Sequence, residues 1–229
     1  MNIPLKTYVK NQTSLAMRDA VRLFLNEWEL SRLHHREIRK VPHFLQTLPV
    51  KLNLGCGPNP KDGWVNVDLF NEKADLRLDL REPWPFPDNS VSYIYSEHAF
   101  EHFEFHEEVP RFLGHAFRVL VPGGVFDVVV PDTEPVLKAY GDQRATYWST
   151  AAKDWHPGWC ETELDHLNYH FRQDGEHKYA WDAQTLARTL QSAGFSSAVR
   201  REFDPHLDSE ARRIGSLYMI ATKPGTREA

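Results

Sequence analysis

The chain has 229 residues, 41% of them hydrophobic, which is enough to bury one substantial core and few for two. A formal net charge of -5 argues against a protein built to grip phosphate backbones, so no nucleic-acid partner is expected. The two cysteines, Cys56 and Cys160, form no CxxC pair, which sets aside a disulfide framework and a thiolate metal site and fits a reducing, cytoplasmic setting.

Met1 to Lys10 has no apolar core of signal-peptide length, and no stretch approaches the roughly 20 apolar residues that span a bilayer, so no membrane partner is expected. From Ser14 to Lys40, Leu15, Val21, Leu25, Trp28 and Leu33 recur at helical spacing, with Thr13 or Ser14 as the start signal. This predicts a helix packed outside the core, in an N-terminal extension over 1–48 that precedes the main domain at 49–229.

Val50 to Leu54, ahead of Gly55, has the length and alternation of a first core strand. Trp64 to Asp68 predicts a second strand ending in an acid, and Ala74 to Leu80 a third. Val91 to Tyr95 predicts a fourth, and Glu97 to Leu120 carries helical spacing up to the Pro122-Gly123-Gly124 stop. Val125 to Val130, rich in β-branched residues and charged only at Asp127, predicts a central strand buried on both faces. Asp182 is placed to cap a helix bearing Leu186, Leu190 and Ala193 and ending at Gly194, after which 197–203 and 216–222 predict two final strands. Strands alternating with helices require crossovers, and hence a mostly parallel α/β sheet covered on both faces.

The sharpest motif is Asn53-Leu54-Gly55-Cys56-Gly57, with glycines at alternate positions directly after a strand, where the missing Cβ atoms let the backbone turn and a ligand approach. A dinucleotide fingerprint needs a third glycine where Pro60 stands, so NAD is disfavoured, and no Tyr-Lys or Ser-Tyr pair suggests hydride chemistry. Asp68 at the end of the next strand can accept both hydroxyls of a ribose. Asp79-Leu80 and the Pro85-Phe86-Pro87-Asp88-Asn89-Ser90 turn follow in order.

This succession resembles the class I S-adenosylmethionine-dependent methyltransferases. The resemblance continues through Glu97 to His102, Arg118 to Gly124 and Trp181 to Phe195, covering about Lys51 to Thr222. It implies a Rossmann-like seven-stranded sheet of order 3-2-1-4-5-7-6 that holds S-adenosylmethionine across the carboxyl ends of strands one, two and four. It also implies cofactor contacts at Asn53, Gly55, Cys56 and Gly57, at Asp68 for the ribose, at Leu69, at Asp79 and Leu80 beside the adenine, and at Ser96, with Glu97 and His98 facing the sulfonium side. One departure is the short link from Gly57 to Trp64, which leaves no room for the usual first crossover helix.

Methyl transfer asks a protein mainly to align donor and acceptor and exclude water, and a hydroxyl acceptor also needs a base. His98 and His102 are candidate bases, with Glu101 to orient one of them. His98, His102 and His106, like His166 and His170, recur at a helical spacing that invites a metal reading, but no HExxH order is present and no metal is expected. Aromatic residues and imidazoles crowd the stretch from Trp148 to Trp181, which lies within an insertion over about 132–181 that would cover the acceptor, and His166, Asn168 and His177 are candidates to line it. The expected acceptor is a small molecule, such as a sugar or secondary metabolite methylated on oxygen or nitrogen, and the expected state is a monomer or homodimer. The alternative is a catalytically degenerate protein of the same fold that only binds.

Overall fold

The structure is a computed structural model that describes residues 13–142, 148 and 156–225. The Met1 to Lys10 stretch and part of the aromatic-rich segment, 149–155, lie outside the described residues. The first helix, α1, spans Leu15–Ile38, with Ser14 as its N-cap accepting from the Met17 N–H. Four of its periodic apolar residues are not covered: Leu15, Val21, Leu25 and Trp28 are all exposed, and the helix docks through buried His34 and Glu37 in its last turns and through Glu27, which pairs with Arg81 at 2.9 Å.

The sheet contains β1 (Val50–Leu54), β2 (Val65–Val67), β3 (Val91–Glu97), β4 (Leu120–Pro131), β5 (Ser196–Arg200) and β6 (Ser216–Thr222). Their order is β2-β1-β3-β4-β6-β5. The pairs β1–β2, β1–β3 and β3–β4 are parallel, while β6 runs antiparallel to both neighbours. The expected seventh strand at Ala74 to Leu80 is reduced to one parallel bridge, Val67 to Leu76, at the outer edge of β2. Counting that bridge as a position restores the expected succession; as a strand it is absent because Asp75 turns its carboxylate inward onto the Asn66 N–H and Pro83, Pro85 and Pro87 follow closely.

After a one-turn helix at Val41–Phe44, the longer described helices are α2 (Glu108–Val119), α3 (Thr133–Gly141), α4 (Glu163–Arg172) and α5 (Ala183–Ser192). Buried Val109, Phe112, Leu113, Ala116 and Val119 recur at three- and four-residue steps along α2, which presses this face onto a core with Leu52, Ile94 and Phe126. Asp182 caps α5 by accepting the Thr185 N–H, and Gly194, at φ +100°, ends it. Helical structure does not begin at Glu97 as expected: β3 runs through that residue, His98 takes φ +52°, and a short 3-10 turn at Phe100–His102 precedes α2. Pro110 gives the reason, since it has no N–H to donate and is tolerated only in a first turn.

Candidate active site

The glycine loop replaces the missing crossover helix with a hydrogen-bonded turn centred on Asn66. Buried Asn66 accepts at Oδ1 from Asn53 Nδ2 at 2.9 Å and from the Lys61 N–H at 2.7 Å, while its Nδ2 donates to Lys61 O, Trp64 O and Asp75 Oδ2. The short Gly57-to-Trp64 link therefore closes without a helix and still delivers Asp68 to the glycines. Gly55 sits at φ +65° and donates to Val67 O at 2.8 Å; Gly57 sits at φ +47° and donates to Asp68 Oδ2 at 2.8 Å. Asp68 Oδ1 also accepts from the Phe70 and Asn71 N–H groups. Cys56 is buried beside this carboxylate; burial first, then Asp68, pushes its thiol up to about 11, so it stays protonated.

Leu69, next to Asp68, and Leu80, next to Asp79, are half-buried. Asp79 is buried, and its carboxylate is already engaged: Arg81 Nε lies 3.0 Å from Oδ1 and Nη2 lies 2.7 Å from Oδ2. Burial alone would raise the Asp79 carboxyl, but the Arg81 guanidinium outweighs it and holds the group below its ordinary value.

At the end of β3, Ser96 is fully buried with an Oγ that has no hydrogen-bond partner among the described residues. Glu97 turns away, accepting from the Ser209 N–H at 3.0 Å, with Arg212 beside it at 3.8 Å. His98 follows. Ser216 Oγ donates to Arg212 O at 2.6 Å and so presents its lone pair to His98 Nε2 at 2.8 Å, which assigns the imidazole proton to Nε2 and leaves the lone pair on Nδ1. That nitrogen faces Glu101 Oε1 at 3.6 Å. Burial chiefly, then Arg212, holds His98 well below its ordinary value, so the ring is neutral at pH 7. Burial drives the Glu101 carboxyl the other way, up to about 8.

His98, His102 and His106 do not share a helical face: His98 follows the strand, His102 sits in the 3-10 turn, and His106 is exposed in the loop before α2. His102 instead meets His177, edge to face with ring centroids 5.2 Å apart. Along α4, buried His170 and half-buried His166 point to different neighbours. His166 Nδ1 contacts His156 Nδ1 at 2.7 Å, whereas the His170 Nε2 is buried without a partner among the described residues.

A cavity of about 330 Å³ opens beside His98, lined by His156, Tyr169, His170, His177, Arg212 and Ser216 among others. Of the three residues expected to line an acceptor pocket, His177 does so, His166 stands behind His156, and exposed Asn168 bonds back to Leu164 O within α4. Arg212 and Ser216 carry no sequence signal for this position. Arg212 is brought in because Arg201 clamps the 203–212 segment to the sheet, pairing with buried Asp127 at 2.9 Å and with Asp208 at 2.6 Å, and Ser216 because β6 pairs it with Pro131 at the end of β4.

The segment 65–128, from β2 into β4, matches the model of the methyltransferase-domain family. This stretch of the chain resembles a methyltransferase domain. Two features at the glycine loop and the end of β3 fit S-adenosylmethionine as a cofactor: the Ser96 Oγ, unpartnered among the described residues, and the open space at Gly57, where a Cβ would meet nothing within 4 Å. Among solved structures, a SAM-dependent methyltransferase from Archaeoglobus fulgidus is similar at a TM-score of 0.50 and 17% identity, covering 88% of this chain and 99% of that one. An S-adenosylmethionine-dependent methyltransferase from Mesorhizobium loti gives 0.48 and 21%, covering 78% and 92%. The first likeness shows a shared fold. No curated protein matches the sequence.

Proposed function

We propose that this methyltransferase modifies a hydroxyl group of a small molecule held in the cavity beside His98. The observation that carries the reading is the position of His98, which directly follows the last residue of β3, lines the cavity, and keeps a free lone pair on Nδ1. A volume of about 330 Å³ suits a small acceptor. Tyr169 offers an aromatic face, and Arg212 and the unpartnered His170 nitrogen offer polar contacts for an oxygen-rich compound such as a sugar or secondary metabolite.

On this reading the Gly55–Gly57 loop, Asp68, Leu69, Asp79, Leu80 and Ser96 hold the cofactor, which supplies an electrophilic methyl group on a sulfonium. His98 takes the acceptor proton at Nδ1, Ser216 fixes its ring through Nε2, and Glu101 and His102 complete the polar wall behind it. Segment 203–212 and α4 shield the cavity from water, which favours transfer to the bound acceptor over side reactions.

The test is incubation with S-adenosylmethionine and parallel panels of hydroxylated small molecules, amines and proteins, scored by release of S-adenosylhomocysteine and a one-methyl mass gain. Methylation within the hydroxyl panel supports the reading. Methylation confined to proteins overturns it.

A further inference from the structure

Glu101 is 1% exposed, and neither of its carboxylate oxygens has a hydrogen-bond partner among the described residues. Buried carboxyl groups are nearly always satisfied, because an unpaired one costs free energy in either protonation state. A donor or a cation is therefore missing from this position.

The surrounding histidines indicate which. One nitrogen each from His102 and His177 and one Glu101 oxygen all lie within 4.8 Å of one another. Both rings have their other nitrogen occupied by a backbone carbonyl: His102 Nδ1 donates to Glu176 O at 3.2 Å, and His177 Nδ1 donates to His170 O at 3.0 Å. Those bonds fix the Nδ1–H tautomer and leave an Nε2 lone pair on each ring, the arrangement that metal-ligating histidines adopt. His177 Nε2 stands 4.0 Å from Glu101 Oε1, within the roughly 4.2 Å that two ligands each about 2.1 Å from one ion can span.

We propose that Glu101, His102 and His177 bind a divalent first-row transition-metal ion at the inner wall of the cavity. Two imidazoles and one carboxylate favour an ion such as Mn²⁺ or Zn²⁺ over Mg²⁺ or Ca²⁺, which prefer all-oxygen shells. Three protein ligands leave coordination positions open, and His177 lines the cavity, so those positions face the acceptor. The consequence for substrate class rests on the methyl-transfer reading. A hydroxyl ligating the ion loses its proton more readily; the O–H bond breaks, and the proton passes to His98 Nδ1, 3.6 Å from the same Glu101 oxygen. The acceptor is then an alcohol or phenol rather than an amine.

The experiment titrates the full chain, stripped with a chelator and free of cofactor, with MnCl₂ followed by electron paramagnetic resonance and with ZnCl₂ followed by calorimetry. One equivalent of ion is expected to bind the wild type. Glu101→Gln and His177→Ala should each weaken binding by about 100-fold or more, as loss of a direct ligand exceeds the 10- to 100-fold cost of losing a supporting group. Cys160→Ser, in the separate His156, Cys160 and His166 group, should bind as the wild type does. Circular dichroism and Tm show that each variant is folded. Binding of neither ion by the wild type, unchanged binding by folded Glu101→Gln, or loss on Cys160→Ser alone would overturn the site. Ion binding without methylation of any acceptor leaves the site standing and counts against the function, whereas chelator-resistant methylation by an ion-free protein does the reverse.

Discussion

His34 Nδ1 accepts the Asp79 backbone N–H at 3.1 Å, tying the last turns of α1 to the segment whose carboxylate Arg81 clamps. The bond requires an unprotonated Nδ1. Burial lowers the His34 pKa from its ordinary 6.5, against the opposing pull of the Asp79 and Glu82 carboxylates, with His35 adding to the depression.

The sign of the pH effect follows. The unfolded chain takes up a proton at this histidine as pH falls through 6.5, while the folded chain resists until its lower value is reached. The stability that neutral His34 contributes is complete above pH 6.5 and is lost below it. Thermal melts from pH 7.5 to 5.5 should show a steeper fall in Tm for the wild type than for His34→Gln, which keeps an acceptor and does not titrate. Parallel curves would remove His34 from the account.

Gly55 tests the loop. A Cβ there would stand 2.4 Å from the Ala99 Cβ, and the φ of +65° disfavours any L side chain. Gly55→Ala should cost about 1–3 kcal/mol of stability and weaken cofactor binding. Gly114→Ala, in α2 with nothing within 4 Å of the new methyl, should gain up to about 1 kcal/mol. Denaturant unfolding of both variants gives the comparison, and equal effects would contradict it.

Asp68→Asn keeps the shape of the side chain and removes its charge. If this carboxylate holds the ribose, the variant should bind S-adenosylmethionine about 10- to 100-fold more weakly, which corresponds to about 1.5–3 kcal/mol for hydrogen bonds to a charged group. Calorimetry measures the change, and an unaltered Kd would confine Asp68 to its bonds with Gly57, Phe70 and Asn71.

Arg201→Ala leaves Asp127, fully buried, and Asp208 without their shared cation. A loss of about 3–5 kcal/mol is expected from breaking a buried pair on one side. Hydrogen exchange should show the 203–212 segment loosened. A loss below about 1 kcal/mol would mean that Arg201 does not hold that segment.

The legible parts of the sequence were those where one local rule acts alone. Asn53 to Gly57 after an apolar run, the Val125 to Val130 run and the Asp182 cap each specify a turn, a buried strand or a helix start whatever surrounds them. Helical spacing in the histidine-rich run from His98 to His106 does not reveal φ +52° at His98, and the local signal against a continuous helix is Pro110. The Ala74 to Leu80 alternation reads as a strand, yet Asp75 and the closely following prolines leave only the Leu76 bridge. Arg212 reaches the cavity through the Arg201 ion pairs and Ser216 through the pairing of β6 with β4, and partners as far apart along the chain as Arg201 and Asp127 or Ser216 and Pro131 leave no local pattern. The exposed apolar face of α1 shows the converse, a clear period with no covering surface among the described residues.

The central claim is that the cleft between the glycine loop and the end of β3 holds S-adenosylmethionine. Calorimetric titration of the purified chain with S-adenosylmethionine and S-adenosylhomocysteine, with NAD as control, tests it most directly. The account predicts saturable binding of both sulfur compounds at one site, with Kd on the order of micromolar and about -8 kcal/mol of free energy, and no heat from NAD. Failure to bind either sulfur compound, or binding of NAD in their place, would contradict it.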